Sequence, residues 1–128
     1  MKITADTNVL VRAVTEDHVE QSRAAQVALR KADVIAISIP ALCELVWVLS
    51  QGYKVRAPDI AATIRALING ANVVVNRPVA EAGIAMLDAG GDFADGAGRL
   101  VAERDGPDGD FAGDDAAEIG RQRRVVIA

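Results

Sequence analysis

Met1-Lys2-Ile3-Thr4-Ala5-Asp6-Thr7-Asn8-Val9-Leu10-Val11 decides how the rest of the chain is to be read. One apolar stretch ends at Asp6 and a second opens at once through Thr7, Asn8 and Val9. This pattern predicts a buried strand over Ile3 to Ala5 that turns directly into a helix over Asn8 to Thr15. In open α/β sheets ligands bind just outside the carboxyl ends of the strands, so a carboxylate, a hydroxyl and an amide stand where such folds place chemistry. The same three residue types also cap helices by accepting the orphan N–H bonds of a first turn. Both roles stay open for Asp6 at this point.

Working outward, Val19 to Lys31 carries small and apolar residues at helical spacing. Val34-Ile35-Ala36-Ile37-Ser38 is a β-branched inner strand, and Pro40 opens a helix over Ala41 to Gln51 that Gly52 closes. Pro58 begins a helix to about Asn69. Asn72 to Val75 is a strand, and Pro78 to Asp88 a helix ended by Gly90-Gly91. Asp92 starts the next helix, to about Arg104, and Arg124 to Ile127 forms the last strand. Between Asp105 and Asp115 too few apolar residues occur for more than a loop or a short, weak strand. Continuously apolar strands alternating with helices predict an α/β fold whose parallel sheet is covered on both faces.

The length of 128 residues suits a single domain, 1–128, with one sizeable core. Hydrophobic residues reach 51% but aromatics only 3%, so Ala, Val, Leu and Ile must build that core. No apolar run is long enough to cross a membrane. The N-terminus lacks the succession of a signal peptide. The single cysteine, Cys43, reads as a buried thiol among Leu42, Leu45 and Val46, and a cytoplasmic location is the default. A net charge of −4 lacks the basic excess usual for nucleic-acid binders, although local distribution matters more than the sum. Lysine occurs only at Lys2, Lys31 and Lys54, and arginines cluster at Arg121, Arg123 and Arg124.

Several carboxylates stand in awkward places. Glu44 lies inside Ala41-Leu42-Cys43-Glu44-Leu45-Val46-Trp47-Val48-Leu49, a helix apolar on nearly all sides and therefore expected to be buried. A buried, unpaired carboxylate is costly, so a basic side chain or a metal ion should compensate Glu44. Asp92 and Asp95 share the first turn of a helix; Asp92 suits an N-cap, and Asp95, between Ala94 and Gly96, has small neighbours that leave room for an ion. Asp114 and Asp115 again precede a helix start, where capping would explain one of the two. Asp6, Glu44, Asp95 and Asp114 thus lie near strand-to-helix junctions or early in helices, ends that a parallel sheet gathers on one side. Carboxylates sharing a pocket need protons or cations between them. All-oxygen donors suit Mg²⁺ or Mn²⁺ rather than Zn²⁺, and such an ion activates water against a phosphate. No Ser-His-Asp or Cys-His arrangement competes, His18 reads as a surface residue, and neither a Walker-type loop nor a CxxC pair occurs.

The order Asp-Thr-Asn-Val-Leu, Ile-Pro-Ala-Leu-Cys-Glu-Leu-Val-Trp-Val-Leu and Gly-Gly-Asp-Phe-Ala-Asp-Gly-Ala resembles a PIN-domain ribonuclease, closest to the VapC-type toxins of bacterial toxin–antitoxin pairs. The resemblance implies a three-layer α/β/α domain with a central, mostly parallel sheet. It further implies a Mg²⁺- or Mn²⁺-dependent endoribonuclease acting on RNA, a homodimer, and inhibition by a cognate antitoxin. Asp6 matches the first family acid, Glu44 the second and Asp95 the third; Asp6 and Asp95 would be the metal ligands, oriented by Thr7 and Asn8. At the fourth acid the family has an apolar strand and a Thr-Phe-Asp-like turn, whereas this chain reads Phe111-Ala112-Gly113-Asp114. Asp114 fills that position here, with Asp110 and Asp115 as alternatives. Arg12, Arg77, Arg99 and Arg104 are the candidates for phosphate contacts, against an ordinary solvated-surface role for each.

Two other classes compete. An aspartate-based phosphotransfer enzyme also begins with a strand ending in Asp, but its late lysine is missing, since none follows Lys54. A PIN-like scaffold kept for binding would use apolar Leu42, Leu45, Trp47 and Leu49 for a partner or dimer contact.

Overall fold

The computed structural model of the protein describes residues 1–15, 18–105 and 124–125. Strand β1 (Lys2–Ala5) runs straight into α1 (Thr7–Val14), followed by α2 (Val19–Lys31), β2 (Val34–Ala36) and α3 (Ile39–Trp47). A π-helical turn, Val48–Gly52, continues α3. Then come α4 (Ala57–Ile68), β3 (Val73–Val74), α5 (Arg77–Asp88), α6 (Phe93–Asp105) and β4 (Arg124–Val125). All pairings are parallel, in the order β3-β2-β1-β4. Helices on both faces complete the expected three-layer α/β/α arrangement.

In β1 the consecutive residues Ile3, Thr4 and Ala5 are all buried, as a strand covered on both faces requires. The core collects Ile3, Ile35 and Ile37 with Leu10, Leu42, Leu45, Ile60, Ile64, Val79 and Ile84. Phe93 is fully buried among these aliphatic side chains. Its ring lies where a Cβ at Gly83 would stand, at 2.6 Å, so α5 offers the ring a glycine rather than a side chain. One turn on, a Cβ at Gly96 would meet the Ala82 carbonyl oxygen at 2.5 Å. The small residue beside Asp95 therefore serves close packing of α6 on α5, not space for an ion as the sequence suggested.

Several boundaries differ from expectation. The second strand stops at Ala36, because Ser38 caps α3 by accepting from the Ala41 N–H at 3.2 Å. The third strand spans only Val73 and Val74. The Asn72 side chain instead donates to the carbonyls of Leu29 and Ala32, both at 2.9 Å, tying the end of α2 to the start of β3. Gly90, at φ +88, closes α5 in a conformation that side chains disfavour. Residues 126–127 of the last expected strand and 106–115 of the expected loop lie outside the described residues.

Candidate functional site

Adjacent parallel strands bring the site together. The register pairs Thr4 with Ala36, and just past the ends of these two strands Asp6 and Ser38 line one cavity. Each begins a helix there. Asp6 caps α1, its Oδ1 accepting from the Val9 N–H at 3.0 Å. Capping and a site position thus coincide in one carboxylate, since capping occupies Oδ1 alone.

Asp6 and Glu44 line the same cavity, of about 610 Å³, together with Thr7, Asn8, Ser38 and Trp47. Thr7 donates its hydroxyl to Oε2 of Glu44 at 2.8 Å, linking α1 to α3. Glu44 is exposed, which corrects the expectation of a buried carboxylate. The physical reason is that α3 buries Leu42, Leu45 and Val46 but leaves the face carrying Glu44 and Trp47 open. A second cavity, of about 700 Å³, adjoins the first and shares Glu44 and Trp47 with it; Cys43, Asp92 and Ala94 also line it. The start of α6 therefore borders the acidic groove. Asp92 accepts from the Ala94 N–H at 3.3 Å, as a cap does, while its charge also acts on Cys43. The Cys43 thiol, half-buried rather than buried, has its pKa raised first by desolvation and second by Asp92.

Asp95 lies in the first turn of α6 and is exposed. Among the described residues no three acidic, histidine or cysteine side chains stand close enough to hold one ion, so Asp6, Glu44 and Asp95 do not converge on a common point in this structure. Asp110, Asp114 and Asp115 lie outside the described residues. What the cavity does offer fits a hard cation. Its donors are all oxygens, from Asp6, Glu44, Ser38 and Thr7, with neither histidine nor cysteine on its wall. The second oxygen of Asp6 and of Glu44 carries no hydrogen bond or ion pair among the described residues. No lysine or arginine lines either cavity among those residues, so no side-chain cation there offsets the carboxylates.

Of the four arginines considered for phosphate contact, Arg77 is otherwise engaged. Its guanidinium donates to the Ile68 carbonyl at 2.9 Å and to Asn69 Oδ1 at 3.0 Å, binding the end of α4 to α5. Satisfying the open carbonyl of a helix end is the reason it is held there. Arg12 lines a cavity that shares Asn8 with the first and also takes in His18 and Tyr53, and Arg99 is exposed. The Arg104 side chain lies outside those described. His18 is exposed, as expected. Sequence reasoning missed Ser38, whose signal was its place before Ile39-Pro40 at a helix start. It also grouped Trp47 with Leu42, Leu45 and Leu49, which prove to be core, whereas Trp47 is 67% exposed.

No helix among the described residues is long and apolar enough to cross a membrane. Neither the curated proteins nor the solved structures compared with the chain gave a match. The PIN domain family matches residues 3–106, a span that contains Asp6, Glu44 and Asp95 and most of the chain. PIN domains are commonly nucleases, and on that match this chain belongs to the PIN domain family.

Proposed function

We propose that this chain is a Mg²⁺- or Mn²⁺-dependent endoribonuclease, the toxin of a type II toxin–antitoxin pair, working as a single-domain, cytoplasmic homodimer that a cognate antitoxin inhibits. The observation that carries the reading is the pairing of Asp6 and Glu44 on one cavity at the carboxyl end of the sheet, joined through Thr7. The uncompensated negative charge of that wall supports a divalent cation as its partner. Bound there, Mg²⁺ or Mn²⁺ would lower the pKa of a water ligand and offset charge on the attacked phosphate.

Asp6, whose second oxygen capping leaves open, would hold the ion. Glu44, steadied by the Thr7 hydroxyl, orients the attacking water. Asp95 is the further ligand; its exposed side chain has no partner among the described residues and can reorient on a fast timescale as substrate arrives. Asp114 is the proposed fourth acid on sequence alone, with Asp110 and Asp115 as alternatives. In the reaction the attacking water gives up a proton to solvent as its oxygen bonds to phosphorus, one ester P–O bond of the RNA breaks, and the departing oxygen takes a proton from solvent.

Cleavage of single-stranded RNA by the purified chain in Mn²⁺, its loss in EDTA, and its loss in Asp6→Asn, Glu44→Gln and Asp95→Asn together test this reading. Growth arrest on expression, relieved by Asp6→Asn, tests the toxin role. Cutting by Asp6→Asn at the parent rate overturns the assignment. A second reading, a PIN scaffold used for binding without catalysis, draws support from the missing three-carboxylate cluster among the described residues. Calorimetry with Mn²⁺ separates the two, because absence of binding at millimolar metal favours the scaffold.

A further inference from the structure

Trp47 is the most exposed of the large hydrophobic side chains in the described residues, in a chain that has one tryptophan and few other aromatics. It stands three residues after Glu44, which puts the two side chains on neighbouring positions of one helix face. The indole lines both the cavity that holds Asp6 and the adjoining one, so it forms the rim between them. The π-helical turn begins at the next residue, and such turns recur at functional sites.

Exposing an indole forgoes the burial that favours it elsewhere. Around Trp47 the groove wall is acidic, with Glu44 and Asp92, and repels phosphate unless a cation intervenes. A neutral aromatic face has no such conflict, and every base offers it a π-surface. The adjoining cavity sets apolar Val46, Ile60 and Leu87 beside polar Ser50 and Gln51 and acidic Glu44 and Asp92, so the ring borders a wall that carries charge, unlike the charge-depleted core of a protein interface.

We propose that the indole of Trp47 is a stacking platform for a nucleobase of single-stranded RNA whose phosphate lies at the Asp6–Glu44 cavity; this rests on the ribonuclease reading. Stacking of this kind anchors the strand beside the carboxylates without choosing among bases. It is also insensitive to salt, unlike phosphate contacts made by arginine.

Because position 47 holds the chain's single tryptophan, its emission reports this site directly. Short oligoadenylate added in the presence of Ca²⁺ should quench that emission, and inorganic polyphosphate at the same free Ca²⁺, which has charge but no bases, should not. Trp47→Ala should raise KM for single-stranded RNA by at least about fivefold with kcat nearly unchanged, and Trp47→Phe should recover part of the loss. Equal quenching by polyphosphate, or cleavage by Trp47→Ala at the parent KM, overturns the stacking role while leaving the nuclease reading standing. Emission that follows protein concentration and ignores RNA assigns the ring to contact between copies of the chain and overturns it equally. Failure of the parent protein to cut RNA in Mn²⁺ removes both proposals together.

Discussion

The hydroxyl of Thr7 donates to Oε2 of Glu44 across 2.8 Å, so the first residue of α1 holds a side chain of α3 over the cavity they share. Removing the hydroxyl while keeping the shape, as in Thr7→Val, frees Glu44 to adopt other rotamers. A hydrogen bond to a charged group is worth about 1.5–3 kcal/mol, less at an exposed position, so a loss of about tenfold in kcat is expected. Thr7→Ser should restore most of the rate. Single-turnover cleavage in Mn²⁺ checks this, and an unchanged Thr7→Val rate would show that Glu44 needs no such support.

Asp6 caps α1 and is also the carboxylate proposed for the site, and substitution can separate the two roles. Asparagine caps as well as aspartate, so Asp6→Asn should keep its stability and lose cleavage. Asp6→Ala removes the cap as well and should cost about 1 kcal/mol in urea denaturation. Equal stability of the two variants would mean that the Val9 N–H contact contributes nothing.

Gly96 and Gly98, two residues apart on α6, should respond to alanine with opposite signs. At Gly96 the new methyl meets the Ala82 carbonyl oxygen at 2.5 Å and Met86 Cβ at 2.7 Å, so overpacking should cost about 1–3 kcal/mol. At Gly98 nothing lies within 4 Å, and the gain in helix propensity should add up to about 1 kcal/mol. Chemical denaturation of the two variants gives the comparison directly.

The Cys43 thiol should alkylate slowly near neutral pH, because burial first and the Asp92 charge second push its pKa up. Asp92→Asn removes the second cause, so the pH profile of iodoacetamide labelling should move to lower pH and the rate at a fixed pH should rise. For stability the sign is set by the folded thiol holding its proton more tightly than the unfolded one. Its contribution is full below the unfolded value of about 8.5 and is lost as pH rises through the higher folded value. An unmoved labelling profile in Asp92→Asn would leave burial as the sole cause.

Much of the fold was legible because its signals are local. Ile3 to Ala5 is apolar without alternation, which betrays a strand covered on both faces, and Asp6 follows at once. Prolines 40, 58 and 78 mark three helix starts, and each falls within the first two positions of its helix. The direction of Glu44 was not legible, because a helix apolar nearly all round has no polar face to fix its phase; neighbouring elements decide which side stays open. Nor could spacing foretell that Gly96 serves a helix contact, since the atom it avoids belongs to Ala82 on another helix. The position of Asp95 relative to Asp6 and Glu44 depends on how α6 is set against α3, a tertiary relation that a motif does not encode.

The pairing of Thr4 with Ala36 has a consequence that reaches past packing. Sliding β2 by one residue against β1 would turn its apolar side chains toward the wrong layers and, in the same movement, offset Ser38 from Asp6 by one rung. A misaligned site is thus also a badly folded protein. Damage to this part of the machinery should surface as lost solubility before it surfaces as lost specificity.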